Sequence, residues 1–155
     1  MIQRIQSLYL VLVSLLSLLL FRGSYLIFSE KTGNIIKVVF AGIIRDSAGT
    51  EPQIIQPLYL YSALLILIPL ISLIALFLYK NRKFQTWLVL SLIVFVILQL
   101  ALSVHYYSLI AETYGASFKP GFMMLIPVIL LVFLILAYRG IKKDDEMVKS
   151  YDRLR

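Results

Sequence analysis

"LYKNRKFQ", residues 78–85, places Lys80, Arg82 and Lys83 close together with no acid, between two long runs that carry no charge. Pro52 to Tyr79 lies on one side and Thr86 to Ile110 on the other; Ile5 to Phe21 and Pro120 to Tyr138 are charge-free as well. About 20 apolar residues in a helix cross roughly 30 Å of hydrocarbon. In lipid every backbone N–H and C=O must be paired within its own segment, so each run is expected to be a helix. Three runs meet the length and the first is slightly short. The composition agrees, with 61% hydrophobic and 15% charged residues, against about half and a quarter in a soluble domain. Four buried helices of a soluble protein would leave nothing polar for an outer surface.

The expected fold is an all-α membrane protein. It is a four-transmembrane-helix bundle with a small outer β-hairpin loop and a cytoplasmic amphipathic C-terminal helix. Residues 1–155 form one integral membrane domain, with spans near 5–22, 57–79, 86–108 and 120–139. Residues 23–56 are the outer loop, 80–85 the inner turn and 140–155 the cytoplasmic tail.

Cytoplasmic flanks of membrane helices favour Lys and Arg. With the N-terminus inside, the inner segments hold Arg4, Lys80, Arg82, Lys83, Arg139, Lys142, Lys143, Lys149, Arg153 and Arg155, ten cations. The outer segments hold Arg22, Lys31, Lys37, Arg45 and Lys119, half as many. Both termini are therefore expected in the cytoplasm, and the net charge of +7 reflects these flanks rather than nucleic-acid binding. Tyr59, Tyr61, Tyr106, Tyr107 and Tyr114 suit the outer headgroup level, and Tyr79, Trp87 and Tyr138 the inner one. Arg22 stands where a signal-peptide cleavage site would follow the first run, so an uncleaved anchor is expected.

In the outer loop, Tyr25–Ser29 and Ile35–Ile44 are β-prone and flank "EKTGN", where Gly33-Asn34 suits a turn of positive φ. Extension of the first helix over Tyr25–Phe28 is the competing reading. Pro69 and Pro127 fall within the second and fourth runs, each removing a backbone bond and predicting a kink. Small residues bring membrane helices together: Ser14 and Ser17, then Ser62, Ser72 and Ala75, then Ser91, Ala101 and Ser103. The fourth run has none between Gly121 and Ala137, so it is expected to be the most lipid-exposed helix or a contact for another subunit.

No acid, Lys or Arg falls in the middle of a run, where transporters and proton relays usually need one. Gln99 is the most polar group at depth, and an intrabundle hydrogen bond is its expected role. His105 and Glu112 share a face near the outer boundary, read as a solvated pair. There is no cysteine and a single histidine, which leaves no zinc signature. No nucleophile–base pattern or phosphate-cradling loop is present. An enzyme is not expected, nor is any cofactor or metal.

Gly140 is expected to break the fourth run. Beyond it, Met147, Val148, Tyr151 and Leu154 recur on one helical face. Arg153 and Arg155 complement the C-terminal end of the dipole. This tail is the candidate partner-docking element, with a frayed solvated tail as the alternative.

"MIQRIQSLYL", "LYKNRKFQ" and "IKKDDEMVKSYDRLR" together resemble the signature of a bacterial four-span membrane family, domain of unknown function family 4293. Lys143, Asp144, Ser150, Asp152, Arg153, Leu154 and Arg155 match its end motif; Asp144-Asp145-Glu146 departs from the usual Asp-Glu. The resemblance implies an inner-membrane protein of Gram-negative bacteria and no particular activity. The expected function is non-enzymatic: a scaffold or accessory subunit of a larger inner-membrane assembly, with the lipid bilayer and a membrane-protein partner or second copy as contacts. The alternative is a carrier or binder of an apolar small molecule, a lipid or quinone, between the kinked helices near Pro69, Pro127 and Gln99.

Overall fold

A computed structural model describes residues 3–47, 51–79 and 81–153, with side chains over 6–47, 51–79 and 81–146. Four α-helices form: α1 (Gln3–Leu19), α2 (Tyr59–Phe77), α3 (Arg82–Tyr114) and α4 (Ile126–Arg153). Each repeats its buried residues at alternating steps of three and four. In α2 these are Tyr61, Leu65, Ile68, Ser72 and Ala75; in α3 they are Gln85, Val89, Leu92, Val96, Gln99 and Ser103. In α4 Leu130, Leu134, Ala137, Ile141 and Asp144 do the same. A seven-residue repeat is the pattern of helices crossing at about 20° with a left-handed twist. The helices pack in cyclic order, α1 on α2, α2 on α3, α3 on α4 and α4 on α1.

Ser14, Ser17, Ser72, Ala75 and Ser103 lie on these buried stripes as expected, whereas Ala101 faces outward. Opposite the stripes, Phe77, Val94, Ile97, Val104 and Val132 are exposed. A bundle that is apolar inside and outside has hydrocarbon as its solvent. Three helical segments are long and apolar enough to cross a membrane: Tyr59–Phe77, Arg82–Tyr114 and Phe122–Glu146. α1 is a shorter apolar helix beside them.

The expected hairpin forms, Leu26–Ser29 pairing with Ile35–Val39 around the Gly33 turn, but it is two strands of a larger sheet rather than a small lone hairpin. Five strands, β1 (Leu26–Ser29), β2 (Ile35–Val39), β3 (Gly42–Asp46), β4 (Gln53–Gln56) and β5 (Ser117–Lys119), form one antiparallel sheet in the order β4-β3-β2-β1-β5. The all-α four-helix-bundle reading is therefore incorrect: the chain combines four helices, three of them of spanning length, with a five-stranded sheet. Leu26, Phe28, Ile36, Val38 and Ile43 are buried, while Lys37 and Asp46 pair at 2.8 Å on the other face.

The turn at Gly33 does have positive φ, +87°, whereas Asn34 does not. The β-prone run expected to extend to Ile44 instead reverses at Phe40-Ala41. Gly42 permits this reversal: its φ is +144°, and a Cβ there would lie 2.3 Å from the Gln56 carbonyl oxygen.

The β1–β2 turn carries an acid-sensitive latch. Glu30 accepts hydrogen bonds from Thr32 and Asn34 and pairs with Arg45 on β3. The bonds from Thr32 and Asn34, and then Arg45, hold its carboxyl below the ordinary value of 4.5. The unfolded chain therefore takes up this proton at a higher pH than the folded one. The latch's contribution is present above about pH 4.5 and lost as pH falls through the lower folded value. Acid is expected to lower amide protection over residues 26–46, relative to the intrinsic exchange rate at each pH, and Glu30→Gln should remove that dependence; exchange measured by mass spectrometry across pH 3–6 reads both.

At 1.5 Å per residue, the 33 residues of α3 make a rod of about 50 Å, longer than the hydrocarbon. Its C-terminal end carries the sheet. Phe28 contacts Tyr107 and Phe118 at ring distances of 5.6 and 5.4 Å, and Arg45 lies over Tyr114. The helix thus continues past the expected limit near 108, to Tyr114.

Two helix-breaker expectations also change. α4 runs without interruption through Gly140 to Arg153, so the tail is not a second helix. Gly140 admits Gln6 of α1: a Cβ would sit 2.8 Å from Gln6 Cγ. Pro127 falls in the first turn of α4, after a 3-10 turn at Phe122–Leu125. The missing N–H would have had no helical partner there, so no kink is required. Pro69 lies inside α2 as expected. α3 and α4 bury equal shares of their spans, 28% each against 39% for α2, so α4 is not singled out as the most exposed.

Candidate functional site

The sheet caps the bundle at the C-terminal ends of α1 and α3 and the N-terminal ends of α2 and α4. Beneath β1 and β5 it leaves a cavity of about 340 Å³ between α3 and α4. Leu100, Ser103, Val104 and Tyr107 of α3 form one wall, Met124 and Val128 another, and Tyr25, Leu26 and Phe118 the roof. Val104 is 66% exposed and Val128 48%, so the opening faces sideways, toward the surface that hydrocarbon covers.

One wall is polar. Tyr25 is fully tucked in, its N–H donating to the Val38 carbonyl at 2.7 Å and its ring 5.5 Å from that of Tyr61. Burial pushes the Tyr25 phenol above its ordinary 10.0, with the Ser103 hydroxyl opposing the shift. Tyr25 is therefore a neutral hydrogen-bonding group at physiological pH. Ser103 Oγ donates to the Gln99 carbonyl oxygen at 2.7 Å. Behind these two, the Tyr61 hydroxyl and the Gln99 amide sit next to one another. Gln99 is 0% and Tyr61 1% exposed; the two side chains and Ser103 face one another, but the Tyr61 hydroxyl oxygen and both amide atoms of Gln99 lack a hydrogen bond of good geometry. Each buried polar atom without a partner costs about 1–3 kcal/mol, and native cores hold few of them.

Of the sequence-derived candidates, Gln99 belongs to this cluster, its amide facing the Tyr61 hydroxyl without a bond of good geometry. Pro127 adjoins the cavity through Val128. Pro69 lies away from it along α2, where its carbonyl accepts from Ser72 Oγ at 3.0 Å. Tyr59 and Tyr61 both lie in the first turn of α2, Tyr61 turned into the bundle and Tyr59, 80% exposed, turned outward. Tyr25, Ser103 and the cavity itself went unrecognised, because β1 and β5 meet only in the folded chain.

His105 and Glu112 are both exposed. The described residues contain no group of three or more metal-ligating side chains. The docking candidates Met147, Val148, Tyr151 and Arg153 lie on α4's backbone, but their side chains fall outside the described set; Leu154 and Arg155 lie wholly outside it.

A second polar cluster closes the opposite end. Gln6 Nε2 donates to Asp144 Oδ2, and Arg82 donates to the Asp144 carbonyl at 3.1 Å. The start of α1, the α2–α3 turn and the C-terminal half of α4 thus converge at the end away from the sheet. Asp144 belongs to the end motif on which the family resemblance rests.

No curated protein and no solved structure matches the chain. A family model matches residues 2–154, nearly its whole length. The chain belongs to the domain of unknown function family DUF4293.

Proposed function

We propose that this chain is a non-enzymatic protein of the bacterial cytoplasmic membrane that binds an apolar small molecule, a lipid or quinone. One ring or chain of that molecule enters the cavity between α3, α4 and the sheet. Both termini face the cytoplasm and the sheet faces outward. The orientation is supported by the cations Arg82, Lys83, Arg139, Lys142 and Lys143 at the end away from the sheet.

The observation that carries the reading is the sideways-opening apolar cavity backed by buried polar atoms that lack a hydrogen bond of good geometry. Its volume of about 340 Å³ sits at the small end of ligand pockets, about 300–1,000 Å³, so the rest of an amphiphile would stay in the bilayer. A carbonyl or hydroxyl reaching the Tyr25–Ser103 wall comes within one side chain of Tyr61 and Gln99. Among the described lining residues there is no acid, histidine, lysine or arginine, which supports binding rather than catalysis. A photoactivatable quinone or acyl probe in proteoliposomes is expected to label Tyr107, Met124 and Val128. Ser103→Phe, which fills the cavity, should lower that labelling about tenfold, the effect of losing roughly 1.4 kcal/mol of binding. Labelling spread evenly over the lipid-facing residues would sink the reading.

A scaffold or accessory-subunit role is the second reading, favoured by β4. This edge strand exposes all four residues, including Ile54 at 56% and Ile55 at 40%, and an open edge invites another strand. Gentle extraction followed by mass measurement separates the two: a lone monomer counts against the scaffold.

A further inference from the structure

The α3–α4 seam opens again at the cytoplasmic end. A groove of about 520 Å³ is lined by Lys83, Thr86, Trp87 and Leu90 of α3 and by Tyr138 and Asp145 of α4. Lys83, Thr86, Trp87 and Leu90 recur at the spacing of one helical face, and Tyr138 and Asp145 are two turns apart on theirs. From Trp87 and Leu90 a second, apolar slot of about 240 Å³ continues past Ser91 to Val94 and Phe95. The two share Trp87 and Leu90, so a polar mouth adjoins an apolar slot on the surface of α3. The aromatic side chains at the mouth suit the headgroup boundary.

The mouth holds one cation and one carboxylate. Lys83 and the Thr86 hydroxyl offer donors to a phosphate. Asp145 offers a carboxylate, which has acceptor sites to share although it already has an interaction of its own within the protein. A purely anionic headgroup would leave the carboxylate's remaining acceptor sites unused, whereas an ammonium group meets them. A choline headgroup has a cation but no N–H to donate. We propose that this groove binds phosphatidylethanolamine: phosphate on Lys83 and Thr86, ammonium on Asp145, and an acyl chain along Leu90, Val94 and Phe95. The inference shares only the bilayer placement with the proposed function, and involves neither the outer cavity nor its residues.

Trp87 is the only tryptophan and lines both the mouth and the slot, so it reports its own site. The full-length protein is reconstituted in phosphatidylcholine vesicles. A minority of brominated-chain phosphatidylethanolamine, phosphatidylcholine or phosphatidylglycerol is then added at equal mole fraction. The ethanolamine lipid should show an apparent association about three- to fivefold above the choline lipid, the range of one partly exposed charge pair. Asp145→Asn should bring that ratio to one, and Lys83→Gln should weaken the ethanolamine and glycerol lipids together. Ser103→Phe, in the outer cavity, should leave the ratio unchanged. Equal quenching by the ethanolamine and choline lipids would overturn the proposal, and so would a preference that survives Asp145→Asn. Stronger quenching by the glycerol lipid would also overturn it, identifying a simple anion site.

Discussion

Gln6→Leu is expected to destabilise the protein by about 2–4 kcal/mol, the range for stranding a buried carboxyl group without its hydrogen bond. Asp144 is 5% exposed. Its Oδ2 accepts from Gln6, its Oδ1 has no partner, and Arg82 binds its main-chain oxygen rather than the carboxyl. Gln6 thus supplies a polar contact between α1 and α4, beside the stacked rings of Tyr9 and Phe133. Gly140 makes that contact reachable by letting the Gln6 stem lie against the α4 backbone. The double variant Gln6→Leu/Asp144→Leu removes both polar partners and should recover most of the loss, since replacing a buried pair by apolar groups of similar shape is close to neutral. Thermal unfolding in a mild detergent measures all four corners of the cycle. Equal stability of the wild type and Gln6→Leu would show that Asp144 does not depend on this bond.

The bundle was legible because its signal is local and repeated. Buried positions such as Tyr61, Leu65, Ile68, Ser72 and Ala75 sit within charge-free runs whose length alone points to lipid. Of the sheet only the β1–β2 hairpin was legible; the other strands are short, pair at a distance or turn without a polar signal. β5 is three residues long and pairs Phe118 with Phe28 across most of the chain. β4 is four residues with no buried face. Neither carries a period long enough to read. The β2–β3 reversal hides inside "VVFAGII", an apolar run without the usual polar turn residues; only Gly42 marks it.

Glycine and proline misled for a related reason. Gly140 costs about 1 kcal/mol relative to alanine in a helix, which α1–α4 packing outweighs. Pro127 needs no broken hydrogen bond once the 3-10 turn moves the start of α4 up to Ile126. The candidate site was half visible: Gln99 stood out as the deep polar residue, but its neighbour Tyr61 looked like an interfacial tyrosine. Only the sheet's roof brings Tyr25 against it.

Gln99→Leu should raise the stability of the ligand-free protein while lowering retention of the bound amphiphile, two changes of opposite value from one substitution. The side chains are similar in volume, so the packing of α3 against α2 is kept. What disappears is a fully buried amide without a hydrogen bond of good geometry. In water the gain could reach the full desolvation cost of both atoms. In a membrane, however, the separated helix also holds Gln99 in hydrocarbon, where it finds only partial compensation. The net gain is therefore about 1–2 kcal/mol. Tyr61→Phe removes one orphaned oxygen and should give a smaller gain in the same direction. If the amide and the hydroxyl hold the polar end of a ligand, either variant should weaken retention of the photoactivatable probe by about 10- to 100-fold, the equivalent of roughly 1.4–2.8 kcal/mol. A structural network predicts the reverse pattern: both variants lose stability, and probe labelling at Tyr107, Met124 and Val128 is unchanged. Unfolding midpoints and labelling yields, measured on the same two variants, therefore separate a site kept polar for a ligand from a core polar by accident of packing.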